Sequence, residues 1–165
     1  MPPTIRPASA EDAPVLAEIL NRIIALGGTT AHQTPFTTER MLRSYVEPER
    51  NISCSVAELG GAAVGFQSLM WPDEEGTPFP DGWAIIASFV DSACAGQGVG
   101  RRLFDATRDA ARAAGVRVID ATIRADNAGG LAYYRALGFE DYDVLPAVPL
   151  RNGARVDRVR KKFTI

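Results

Sequence analysis

The chain is 165 residues long, 46% hydrophobic and 23% charged, with a formal net charge of -2. Those proportions fit one globular domain with a continuous core and exclude disordered, collagen-like and coiled-coil classes. The charge balance leaves no basic footprint of the kind that nucleic acid requires, so no nucleic-acid partner is expected.

Met1–Arg6 carries no apolar run of the signal-peptide kind, and no later segment approaches the length of a membrane span. No membrane partner is expected, and a reducing, cytoplasmic setting is the default expectation. Thr4–Arg6 reads as a short opening strand. Leu16, Ile19, Leu20, Ile23 and Ile24 then recur at i, i+3, i+4 spacing, which predicts an amphipathic helix. Ser9 and Asp12 offer a capping box at its start, or Asp12 alone is the cap ahead of Pro14, and Gly27-Gly28 ends it. Thr29–Pro35 is a polar loop holding His32, the sole histidine. Thr37 or Thr38 caps a second helix through Met41, Leu42 and Tyr45 that stops near Pro48.

Ile52–Glu58, the turn Leu59-Gly60-Gly61 and Ala62–Trp71 predict an antiparallel hairpin, with Met70 in the core. Its Cys54 and the later Cys94 have neither a disulfide framework nor zinc spacing, so no metal is expected. A proline- and acid-rich loop, Pro72–Gly82, leads to a mostly apolar strand, Trp83–Asp91. The pattern then alternates: a helix over Gly98–Ala114 with Leu103, Ala106, Thr107, Ala110 and Ala114 inward, a strand over Val116–Ile123, and a helix over Asn127–Leu137. Two strands follow, near Phe139–Val144 and Arg155–Phe163. The basic run Arg155–Lys162 reads as a strand with one solvated face. The sum is a mixed α/β fold around one sheet.

Gly96, Gly98 and Gly100 stand between a strand and a helix that begins without a break. Glycines bring backbone N–H groups close to a ligand, and a helix N-terminus adds unpaired donors and partial positive charge, a combination suited to a pyrophosphate. The spacing matches neither the dinucleotide fingerprint G-x-G-x-x-G nor the Walker loop.

Ala95-Gly96-Gln97-Gly98-Val99-Gly100 resembles the acetyl-CoA loop of the GCN5-related N-acetyltransferase (GNAT) superfamily, Gln/Arg-x-x-Gly-x-Gly/Ala, with Ala95 in place of the leading Gln/Arg. Asn127, Tyr134 and Leu137-Gly138-Phe139 fall at the spacing of a second signature of that family. The loop Gly28–Thr37 and the ending Arg151–Phe163 are similar to its phosphinothricin and L-amino-acid N-acetyltransferase group. The resemblance implies one N-acetyltransferase domain over residues 1–165, with a mixed, mostly antiparallel sheet of about seven strands and about four helices. Its central strands splay to admit the pantetheine arm. It further implies acetyl-CoA as co-substrate, a small-molecule amine as partner and a homodimer through the C-terminal strands.

For acetyl-CoA the resemblance marks Phe89, Val90, Gly96, Gln97, Gly98, Val99, Gly100, Arg101, Asn127 and Tyr134, with Arg101 and Arg102 offsetting the loss at Ala95. Tyr134 takes the role of proton donor to the departing thiolate, and the Val90 N–H that of polarising the thioester carbonyl. Tyr133 is assigned to the core or to the adenine side. Asp91 tethers the loop.

The glutamate that serves as base in the similar amino-acid acetyltransferases falls here on Ile85. A lysine amine is free at pH 7 only about one part in 2,500, a penalty of roughly 4.6 kcal/mol, against roughly 1.4 kcal/mol for an α-amine of pKa about 8. Such an acceptor does without a strong base, or the base comes from another segment. His32 is the candidate ahead of Glu58, Glu74 and Glu75. With Thr30 and Ile85 it is expected at the acceptor site, where Phe36, Trp71 and Trp83 either form an apolar wall or pack the sheet. Three readings remain open: an N-acetyltransferase for a small amine, probed with free amino acids; a protein N-terminal or lysine acetyltransferase, for which Asp73-Glu74-Glu75 is the hint; and a CoA-binding module without turnover, to which Ala95 and Ile85 point.

Overall fold

The computed structural model describes residues 2–75 and 78–165, so two residues of the expected Pro72–Gly82 loop, 76 and 77, lie outside it. Among the described residues the seven strands are β1 (Thr4–Pro7), β2 (Asn51–Leu59), β3 (Ala62–Met70), β4 (Trp83–Val90), β5 (Val118–Arg124), β6 (Glu140–Pro149) and β7 (Arg155–Thr164). The helices are α1 (Ala13–Leu26), α2 (Thr38–Met41), α3 (Val99–Ala114) and α4 (Ala128–Leu137). The sheet order is β1-β2-β3-β4-β5-β7-β6. Every neighbouring pair is antiparallel except β4 and β5. The expected mixed, mostly antiparallel α/β architecture is the one observed.

The helices form where the apolar stripes lie. In α1, Leu16, Ile19, Leu20 and Ile23 are buried against Val56, Phe66 and Phe89, which makes one core layer. Of the two caps considered for this helix, the Ser9–Asp12 box exists on the turn that precedes it, and Asp12 stands at the N-cap position without a side-chain bond to the helix. Asp12 accepts from the Ser9 N–H at 2.8 Å across a single tight turn, and α1 follows directly with Pro14 in its first turn. On the other face of the sheet, α3 and α4 cover Leu69, Ile119, Ala121 and Ile123 with Phe104, Tyr134 and Phe139. The inward stripe of α3 is displaced from the expected one: Val99, Leu103, Phe104, Thr107 and Ala111 are buried, and Ala114 is exposed. In a helix of 3.6 residues per turn, the bulky Phe104 and Leu103 set the buried face, which leaves Ala106 and Ala110 half-buried at its margin and Ala114 outside it.

α2 is short. Thr37 caps it by accepting from the Arg40 N–H at 3.1 Å, and the chain continues as a wider π-type turn over Leu42–Val46. Met70, expected in the core, is half-buried at the end of β3. β6 runs on to Pro149, well beyond the expected Val144, because β7 gives it a partner along its length. β7 lies between β5 and β6, so carboxylates of both neighbours reach basic residues in its middle. Lys161 is buried and ion-paired with Asp141, and the Arg160 side chain is 14% exposed between Asp120 and Asp143. The expected solvated face is therefore confined to the start of the strand at Arg155 and Asp157, because cross-strand carboxylates draw Arg160 and Lys161 into the fold.

Candidate active site

Parallel pairing between β4 and β5 covers only Trp83↔Val118, Ala84↔Ile119 and Ile85↔Asp120. Beyond that point β4 continues to Val90 and β5 to Arg124 with no ladder between them. The Asp91 N–H reaches the Val64 carbonyl at 2.8 Å, so the antiparallel alternation sends the N–H groups of Ser88 and Val90 away from β3. They point into the gap. A cavity of about 620 Å³ fills this wedge and runs past Ser88, Phe89, Val90, Asn127 and Tyr133 to the loop at Gly96–Arg101.

The loop opens on α3 with its backbone donors unused. The first helical bond runs from the Arg102 N–H to the Gly98 carbonyl at 3.2 Å, which leaves the N–H groups of Val99, Gly100 and Arg101 without helical acceptors. Gly98, at the cap position, supplies no side chain to fill them. Gly96 and Gly98 adopt φ of 77° and 78°, a left-handed conformation that L side chains rarely take. Gly100 is needed for a different reason. A Cβ there would stand 2.6 Å from the Tyr133 ring. Asp91 steadies the approach by accepting from the Ala93 N–H at 3.1 Å and pairing with Arg22 of α1 at 2.9 Å. The Ala93 N–H and then Arg22 hold its carboxyl below the usual carboxylate range.

A second cavity of about 240 Å³ shares Thr29, Ser88, Phe89, Asn127 and Tyr133 with the first. Its remaining lining includes Thr30, His32, Tyr45, Ile86, Arg124, Tyr134 and Arg158. No Asp or Glu is part of this wall among the described residues. Asn127 stitches it together: its Oδ1 accepts from the Gly130 N–H at 2.9 Å, and its Nδ2 donates to the Thr29 carbonyl at 3.2 Å.

A hydrogen-bond chain joins the two cavities. Tyr133 donates to the Gly100 carbonyl at 2.7 Å and accepts from Gln67 Nε2 at 3.0 Å. Gln67 Nε2 also donates to Ser88 Oγ at 2.8 Å, and Ser88 Oγ meets the Tyr134 hydroxyl at 2.8 Å. Gln67 is completely buried, with its Oε1 unpartnered. Tyr133 has its proton committed to Gly100. Tyr134 has only Ser88, so when Ser88 donates to it the Tyr134 proton is free to leave. Burial raises the Tyr134 hydroxyl well above the ordinary phenol value, so it is protonated throughout the neutral range.

His32 Nε2 lies 2.6 Å from the Tyr45 hydroxyl, and burial raises that phenol to about 12. Burial first, then the charges of Arg40 and Arg158, lowers the affinity of His32 for a proton. The imidazole is therefore neutral at pH 7.

A family model described as Acetyltransferase (GNAT) family matches residues 18–139. The chain belongs to this family. Over 162 residues it is 30% identical to the L-methionine sulfoximine/L-methionine sulfone acetyltransferase of Pseudomonas aeruginosa, covering 95% of this chain and 91% of that one. Among solved structures, it matches a GNAT superfamily phosphinothricin acetyltransferase from Sinorhizobium meliloti in complex with AcCoA. The TM-score is 0.82 at 22% identity, with 100% and 89% of the two chains covered. The ribosomal-protein-alanine N-acetyltransferase of Brucella melitensis matches at TM-score 0.80 and 26% identity, over 98% of this chain and 99% of that one.

Acetyl-CoA is the co-substrate of this acetyltransferase. The larger cavity fits it, since the open donors at Val99–Arg101 suit a diphosphate and the unladdered edge of β4 suits an amide-bearing arm. Of the residues marked for acetyl-CoA, Phe89, Val90, Gly96, Gly98, Val99, Gly100, Arg101 and Asn127 line that cavity. Gln97 does not, and Tyr134 lines only the smaller one. Of those marked for the acceptor, Thr30 and His32 line the smaller cavity, whereas Phe36, Trp71 and Ile85 line neither. Phe36 is buried in the α1 core with the His32 ring 4.8 Å away, and Trp71 packs against the opposite core layer.

Among the residues of this candidate site that the sequence did not mark are Ser88, Gln67, Tyr45, Arg124 and Arg158. A lone hydroxyl within apolar Ala84–Val90 and a lone amide in Phe66-Gln67-Ser68-Leu69 were the available signals for the first two. The arginines meet only through strand register.

Proposed function

We propose that this protein transfers the acetyl group of acetyl-CoA to the amine of a small molecule, an amino acid or an analogue of one, by direct attack on the thioester. The observation that carries the reading is the junction of the two cavities at Ser88, Phe89, Asn127 and Tyr133, with Tyr134 and His32 on the acceptor side. Bound acetyl-CoA supplies an activated acyl group. The chain holds the acceptor, takes up a proton from it and delivers one to the departing sulfur.

His32 takes the first role, as the one titratable group of the smaller cavity, among the described residues, that is a neutral base at pH 7. Tyr134 takes the second, with its hydroxyl held by Ser88. The Val90 N–H, directed into the gap, polarises the acyl carbonyl. Balance is kept: the amine nitrogen–acyl bond forms as the carbon–sulfur bond breaks, one proton leaves the neutral amine for His32, one leaves Tyr134 for sulfur, and solvent carries a proton from His32 back to Tyr134 to reset both. The smaller cavity falls below the roughly 300 Å³ that drug-sized ligands need, which supports an amino-acid-sized acceptor. The substrates named for the Pseudomonas aeruginosa relative support the same class.

The likeness to a ribosomal-protein-alanine N-acetyltransferase supports a second reading, a peptide N-terminus as acceptor. One assay decides between them. Thiol release from acetyl-CoA is followed with free L-amino acids, L-methionine sulfone, phosphinothricin and an alanine-starting peptide. Release with a free amino acid, reduced about 100-fold in kcat by Tyr134→Phe, is expected. Release with the peptide alone would overturn the small-molecule reading.

A further inference from the structure

β5 and β7 pair antiparallel with Arg124 directly opposite Arg158. The two side chains share the face that lines the smaller cavity. Like charges directly opposite one another on a sheet repel, and the repulsion grows where water is thinned by burial. The chain relieves one of them. Arg124 donates from Nε and Nη2 to Asp126 at 2.9 and 2.7 Å and from Nη1 to the Thr30 carbonyl at 3.0 Å, which commits all three nitrogens.

Arg158 is treated differently. Its side chain makes no hydrogen bond or ion pair with any described residue, although the residue is half-buried. Its neighbours on the strand, Arg160 and Lys161, both have carboxylate partners. The cavity it faces has no acidic wall residue among the described residues, and His32 there is neutral. A half-buried guanidinium left unmatched at the edge of a small cavity fits an anion brought by the ligand, and its planar donor fork matches a carboxylate.

We propose that Arg158 anchors a carboxylate carried by the acceptor, so that the substrates of this enzyme are amino carboxylates rather than simple amines or amides. The proposal rests on the acyl-transfer reading above. The anchor holds one end of the acceptor at the β5–β7 edge, and the amine extends toward His32, Ser88 and Tyr134. Ile86, Phe89 and Ile123 leave an apolar remainder of the wall for a side chain.

The test compares the amino acid that turns over fastest with its own carboxamide. In the wild type, the carboxylate form is preferred. In Arg158→Gln, KM for the amino acid rises roughly 10- to 100-fold while kcat at saturation falls far less, and KM for the carboxamide does not change. Arg158→Lys recovers part of the loss, and unchanged acetyl-CoA affinity shows that the variants fold. An equal loss for amino acid and carboxamide, or no loss for either, overturns the proposal. If the wild type releases no thiol with any acceptor, the acyl-transfer reading falls. Calorimetry of L-methionine sulfone with CoA-loaded protein then decides the anchor separately. Binding heat that disappears in Arg158→Gln upholds it, and heat that is absent or identical in both proteins overturns it.

Discussion

The charge state of His32 is a product of its surroundings. Burial costs its protonated form solvation, Arg40 from α2 and Arg158 from β7 add like-charge repulsion, and Tyr45 gives its Nε2 a hydrogen-bond partner. All three sources of charge and desolvation act in one direction, to lower the pKa. The base form therefore dominates down to mildly acidic pH, and kcat/KM is expected to show, beyond the fall set by protonation of the acceptor amine, a further limb as pH drops through a value below 6.5. In His32→Gln that acidic limb is lost, and the remaining profile follows ionisation of the acceptor amine. Removal of a like charge in Arg158→Gln moves the limb upward. A pH–rate profile of the three proteins checks this, and an unshifted limb in His32→Gln would remove His32 from proton transfer. At this scale the sequence was informative where a residue is rare: a sole histidine and an Asn–Tyr spacing can be read directly. It was uninformative for Arg158, one of several basic residues in a run, because its partnerless state depends on which carboxylates other strands bring near.

The loop and α3 act as one element. Tyr133 of α4 lies under Gly100, closes the space a side chain would need and holds the Gly100 carbonyl. The ring cannot swing away without breaking its bonds to Gly100 and Gln67. In Gly100→Ala the helix start must shift, at a cost of roughly 1 to 3 kcal/mol. Because the displaced N–H groups are those aimed into the larger cavity, acetyl-CoA affinity is expected to fall by a comparable factor, about 10-fold or more. Calorimetric titration with acetyl-CoA measures it, and wild-type affinity would show that the helix start is not part of the grip. The positions of this loop and helix are local properties, carried by glycine φ angles and an apolar period, and so were legible to within a residue. The assignment of Tyr133 to the core or adenine side was less complete. Its role as a prop beneath Gly100 depends on how α4 docks against α3, which no local pattern encodes.

At the scale of the whole molecule, the sheet must stay continuous from β3 to β7 while β4 and β5 part at one end. Ile85↔Asp120 is the last pair before the gap. Asp120 is 1% exposed and takes hydrogen bonds from Tyr142 and from Thr122 at 3.0 Å, with Arg160 3.6 Å away. Burial raises its pKa against the pull of those partners. This cluster ties β5, β6 and β7 together just below the fork. Asp120→Ala strands the Tyr142 hydroxyl, leaves Arg160 with Asp143 as its one carboxylate partner and is expected to lower unfolding stability by roughly 2 kcal/mol, with acetyl-CoA affinity retained because Asp120 lines neither cavity. Chemical denaturation of the variant checks the first part and calorimetry the second. A loss below about 0.5 kcal/mol would show that the fork needs no such tie.

The sequence by itself determined the α/β class, the order of strands and helices and the place of the glycine turn that opens α3. These follow from apolar periodicity, capping residues and glycine conformation, which act over a few neighbouring residues. Only the tertiary structure decided which side chains share a cavity. Ser88 and Gln67 meet Tyr134 and Tyr133 across 46 and 66 residues of chain, and Arg124 faces Arg158 through strand register alone. Register and helix docking are fixed by the packing of the whole core, so the chemistry of the acceptor site appears only once the chain has closed on itself.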